Sequence, residues 1–68
     1  MTEVQRFIER EIKRLGSVAA LQRATGNSIQ NINKWRTGEI REPSRESLRR
    51  LAKATGTPEA ELVRMAYG

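Results

Sequence analysis

Residues 17–38 read SVAALQRATGNSIQNINKWRTG, and this stretch decides the fold. Ser17 is a natural helix N-cap and Gly26 a natural left-handed stop, so the spacing predicts a short helix over residues 18–25. Ser28 caps a second helix over residues 29–37, closed by Gly38. Two short helices joined by a tight glycine-containing turn, here Gly26-Asn27-Ser28, make a helix-turn-helix corner. Many helical bundles have such corners, so the surface of the second helix has to carry any functional argument.

With Ile29 set at 0° and a step of about 100° per residue, Ile32 falls near 300° and Trp35 near 240°, which fixes the buried direction at about 270°. On the opposite side lie Asn33, Thr37, Gln30 and Lys34, at about 40°, 80°, 100° and 140°, with Asn31 and Ile29 flanking them. Amides, a hydroxyl and an amine face outward, and no acid stands among them. Gln and Asn bond adenine in two places and Lys reaches guanine O6 and N7 in a major groove, where a carboxylate would be repelled by phosphate. The competing reading is a merely polar bundle surface.

Outward from this segment the punctuation continues. Thr2 and Gln5 have capping-box spacing. Val4, Phe7, Ile8, Ile12 and Leu15 form one apolar stripe over a helix at residues 3–15, with Gly16 as its stop. Ala20, Leu21 and Ala24 give the second helix a thin apolar face. After a polar connector, Ser44 caps a helix over residues 45–55 that carries Leu48, Leu51 and Ala52. Thr57 is the expected N-cap of the last helix, residues 58–66, with Pro58 at its first position. The echo between Leu21–Gly26 and Leu51–Gly56 is read as two similar helix C-termini rather than a repeat. The expected fold is therefore all-α: a compact bundle of about five short helices in a single domain over residues 1–68, with the helix-turn-helix at the second and third.

Composition narrows the function. The chain has 68 residues, no cysteine, no histidine, 13 Lys and Arg against 8 acids, and a net charge of +5. Neither a disulfide nor an ordinary zinc site is available, and the residue types behind most acid–base and nucleophilic catalysis are scarce. An enzyme is not expected, nor any cofactor, metal or small-molecule ligand. No apolar run approaches the roughly 20 residues of a membrane span, so the expectation is a soluble, cytoplasmic module with no membrane partner. Excess positive charge together with the amide-rich face points to nucleic acid.

The ordered set Ser17, Leu21, Gly26, Ser28, Ile32, Trp35, Gly38 and Pro43 resembles the phage-repressor and Cro type of helix-turn-helix domain, over nearly the whole chain. The resemblance implies a lambda-repressor-like bundle, of bacterial or phage origin, whose third helix enters the major groove. Two copies would read a palindromic operator on double-stranded DNA as a homodimer, the usual action being that of a transcriptional repressor. It implies base contacts from Ile29, Gln30, Asn33 and Lys34, to which the outward face adds Thr37 and Asn31. It implies backbone-phosphate contacts from Ser17, Val18 and the connector between Thr37 and Arg41; Ser28 and Arg36 complete that set.

Departures from the family pattern carry expectations of their own. Val18 stands where Gln is common and offers only its backbone N–H to a phosphate. Ile29, where Gln is also common, either meets a thymine methyl or turns partly inward. Arg36 replaces the usual Glu, so either its partner on helix one is Glu11 with the signs exchanged, or it reaches a phosphate. Thr25 and Thr55 replace customary leucines and thin the core. Asn27 is a candidate for the left-handed conformation that asparagine tolerates.

Trp35 is expected in the core, and Tyr67 either in a dimer contact or disordered. Arg49, Arg50 and Lys53 are a solvated face before they are a second phosphate patch. Leu62, Val63 and Met65 either complete the core or, with Tyr67, form a two-fold patch. The chain ends at Gly68 just past this helix, so an effector or oligomerisation domain could lie beyond it. Two other readings stand beside the regulator: a protein–protein adaptor, of antitoxin or phage-assembly type, using the last two helices, and a nonspecific DNA-coating protein.

Overall fold

The computed structural model describes all residues from Met1 to Gly68. Five helices follow in order: α1 (Glu3–Leu15), α2 (Val18–Thr25), α3 (Ile29–Thr37), α4 (Arg45–Thr55) and α5 (Glu59–Tyr67). The first four have the predicted limits. Their starts are set by side-chain caps: the Thr2, Ser17, Ser28 and Ser44 hydroxyls accept from the backbone N–H three residues on. At α1 the box is complete, the Thr2 amide donating to Gln5 Oε1 at 2.8 Å.

The start of α5 differs. Pro58 stands at the N-cap and supplies no side-chain bond, and the helix begins at Glu59 and runs on through Tyr67. Thr57 does not cap it: its hydroxyl accepts from no amide of α5, and its own amide donates to the Thr55 hydroxyl at 3.3 Å, tying Thr57 to the end of α4. Nor is the C-terminus frayed: the Tyr67 hydroxyl donates to the Pro43 carbonyl at 2.6 Å and anchors α5 to the connector before α4.

One side chain cluster fills the interior: Val4, Phe7 and Ile8 from α1, Leu21 from α2, Ile32 and Trp35 from α3, Leu48 and Leu51 from α4, and Leu62 from α5. Each such side chain contributes about 1.5–3 kcal/mol on burial. α1 touches α2, α3 and α5, while α4 lies against α2 and α5. Leu62 is only 2% exposed, so it belongs to the core and leaves the two-fold patch proposed for it. On α2 the apolar face is rotated from expectation: Ala24 is exposed and Thr25 is buried.

The two threonines that stand where the resemblance implies leucines have their hydroxyls satisfied within the fold. The Thr25 hydroxyl donates to the Leu21 carbonyl at 2.9 Å and accepts from the Asn27 amide at 3.1 Å. Thr55 repeats both bonds, with the Leu51 carbonyl and the Thr57 amide. The sequence echo is thus one helix-ending device used twice, completed by Gly26 and Gly56 in the left-handed conformation. Asn27 does not adopt that conformation, since every positive φ in the chain belongs to a glycine. It is buried instead, with its Nδ2 donating to the Ser47 carbonyl at 3.4 Å. Gly26 makes the turn that Asn27 would otherwise have made.

Candidate nucleic-acid interface

α3 is held at one face and presents the other. Ile32 is fully buried and Trp35 is 2% exposed, which locks the helix rotation. Gln30, Asn31, Asn33 and Thr37 are exposed and Lys34 is half-buried. Ile29 is exposed as well, at 43%, rather than turned inward. Gln30, Asn33, Lys34 and Thr37 border one shallow depression, so the face derived from helical angles is a contiguous surface.

The side chains on it differ in how free they are. Gln30 and Asn31 have no side-chain hydrogen bond within the fold, and Lys34 forms no ion pair. Asn33 Oδ1 accepts from Arg36 at 3.3 Å, which leaves its amide nitrogen to donate. The Thr37 hydroxyl is engaged at the end of its own helix, donating to the Lys34 carbonyl at 3.2 Å and accepting from the Glu39 amide at 3.3 Å.

Acids approach this surface from outside the helix. Glu39 completes the rim of the depression that holds Gln30 and Lys34. Arg36 pairs with Glu9 at 2.6 Å, not with Glu11, which is taken by Arg14 at 2.7 Å. The exchanged charge pair between α3 and α1 is therefore real, but its carboxylate lies two residues earlier than expected. A helical step of about 100° puts Glu9 and Glu11 on different sides of α1. Sequence reasoning missed a second tie between these helices: Gln5 Nε2 donates to the Arg36 carbonyl at 3.0 Å.

At the start of α2, Ser17 is exposed and its hydroxyl accepts from the Ala20 amide at 3.0 Å. The Val18 and Ala19 amides have no acceptor within the fold, as first-turn amides generally do not. Val18 packs its side chain on the core while its backbone remains at the helix end. Arg41 is exposed and free of any ion pair, whereas Arg49 and Arg50 are paired with Glu59 and Glu46. The charge run on α4 is thus largely neutralised.

A bundle of short helices with a capped, glycine-turned helix pair and an outward amide-rich second member defines a helix-turn-helix DNA-binding domain. The chain belongs to the Cro/C1-type HTH DNA-binding domain family, whose model matches residues 7–66. No curated protein and no solved structure matches the chain. No helix is long and apolar enough to cross a membrane.

Proposed function

We propose that this chain is a sequence-specific, double-stranded-DNA-binding transcriptional regulator that acts as a repressor, by occupying an operator. α3 lies in the major groove with Gln30 and Lys34 as the first readers of base edges. Asn33, Asn31 and Ile29 stand next, and Thr37 contributes less because its hydroxyl is internally bonded. The Ser17 and Val18 end of α2, Ser28 and Arg41 hold the flanking phosphates, and Arg36 joins them only by giving up Glu9. The observation that carries this reading is that Gln30 and Lys34 border one open surface opposite the buried Ile32 and Trp35, with neither side chain used by the fold.

Two copies bind a palindromic site, the second recognition helix lying about 34 Å along the duplex. Val63, Met65 and Tyr67 are the residues of the two-fold contact, Leu62 being buried in the core. Selection of bound duplexes from a random pool at physiological salt tests the reading. The expected result is a symmetric enriched site. Gln30→Ala or Lys34→Ala then costs about 1–3 kcal/mol on that site and relaxes one position of it. If nothing is enriched, or both variants bind every sequence as the parent does, the proposal fails. Met65→Ser should weaken two-fold binding without unfolding the chain, read by sedimentation with and without duplex.

A further inference from the structure

We infer that the indole N–H of Trp35, recessed in a cleft between the start of α1 and the connector after α3, is a hydrogen-bond donor to a phosphodiester oxygen of the bound duplex. The inference rests on the DNA-binding reading above and gives that site one further contact.

Trp35 looks like a core residue, at 2% exposure. Yet its indole N–H donates to nothing within the fold, and no unpaired polar side-chain atom in the molecule is sealed from solvent. What little of Trp35 reaches the surface therefore includes its one polar atom. The only cleft that Trp35 borders has a volume of about 210 Å³ and is walled by Thr2, Gln5, Gly38, Ile40 and Arg41.

No carboxylate borders that cleft. Arg41 is an unpaired guanidinium on its wall. Gly38 is the one glycine ending a helix here whose amide makes no backbone bond. The amides of Gly16, Gly26, Gly56 and Gly68 donate to the Ile12, Gln22, Ala52 and Arg64 carbonyls. The start of α1 adds the partial positive charge of a helix N-terminus. Glu39 and Glu42 flank Arg41 in the chain, but neither borders the cleft. A recessed neutral donor and an unpaired arginine together suit a small anionic oxygen. The cleft lies at the C-terminal end of the reading helix, bordered by the connector residue Arg41, to which the proposed function assigns a phosphate contact.

Trp35 is the only tryptophan, so its indole gives one identifiable signal in a nitrogen–proton correlation spectrum of the labelled chain. With a saturating duplex of about two helical turns, this signal should move and exchange more slowly with solvent. Inorganic phosphate at equal concentration should leave it in place. Trp35→Phe keeps most of the packed ring and should bind specific and nonspecific duplex alike about tenfold more weakly, as for loss of a bond to a charged group. Its salt dependence should be unchanged, whereas Arg41→Gln should flatten the salt slope by about one.

If the Gln30 and Lys34 signals move while the indole signal stays, this inference fails and the major-groove reading stands. If no signal moves, that reading fails and takes this one with it. An equal response to inorganic phosphate overturns the assignment to the DNA backbone. Should Trp35→Phe not fold, the indole signal of the natural chain decides alone.

Discussion

Thr25 shows how a single polar residue can serve in a small apolar interior. Its hydroxyl satisfies the Leu21 carbonyl and the Asn27 amide at once, so it replaces a leucine without leaving an unpaired group. Thr25→Val should cost about 1–2 kcal/mol in chemical denaturation, because the buried Asn27 amide loses its acceptor. Thr55→Val should cost less, since Thr55 is only half-buried and water can replace the bond. Glu39 is informative in a different way. It is exposed, unpaired and adjacent to Gln30 and Lys34. Glu39→Gln should raise affinity for every duplex about threefold at low ionic strength, the gain shrinking as salt rises. A loss confined to sites with cytosine at one position would mean instead that Glu39 reads that base.

Between elements, the α1–α3 junction is the most constrained. The Gln5 amide is held at both ends, Oε1 by the Thr2 amide and Nε2 by the Arg36 carbonyl. A methyl group added at Gly38 would stand 3.2 Å from that Nε2, at a backbone φ of +85°. Gly26 has a similar φ of +79° but open space around it. Gly26→Ala should therefore cost only the left-handed strain of about 1–2 kcal/mol. Gly38→Ala should cost more and tilt α3 against α1, which thermal melts and duplex affinity together would register. At the other junction, Arg64 of α5 pairs with Glu61 and with Glu3 of α1. Its guanidinium holds the Glu61 carboxyl below the ordinary glutamate value of 4.5, chiefly by hydrogen bonding. A carboxyl lowered in the folded state stabilises above that value and ceases to do so as pH falls through the folded one. Stability should be insensitive to this pair near neutrality and decline on acidification below about pH 4.5, and Arg64→Ala should reduce the acid sensitivity. Melting curves taken across that range check the sign.

For the molecule as a whole, charge is sorted as much as it is abundant. Six of the eight glutamates sit in ion pairs with arginines, and the unpaired two, Glu39 and Glu42, lie in the connector. Lys34 on α3 and Arg41 in the connector are free of ion pairs, and Glu39 and Glu42 offset them there, so the net charge of +5 comes from the unpaired cations of the other helices. A chain this short buries only about 60% of its unfolded surface and has little stability to spare. Leu62→Ala, at a site 2% exposed, should cost about 2–5 kcal/mol and unfold much of the population, seen by loss of helical circular dichroism.

The order and limits of α1 to α4, the burial of Ile32 and Trp35, and the outward set around Gln30 and Lys34 were legible in the amino-acid sequence. Caps, glycine stops and helical periodicity act over three or four residues, and those interactions are encoded locally. What followed only from tertiary structure involves partners far apart in the chain. Glu9 rather than Glu11 faces Arg36, Asn27 is buried against Ser47, and Glu39 comes to the rim of α3. Tyr67 is tied to Pro43, and the one polar atom of a core tryptophan surfaces beside Arg41. Local periodicity fixes which side of a helix is turned outward. Which residue of another helix comes to stand there depends on how the helices pack against one another.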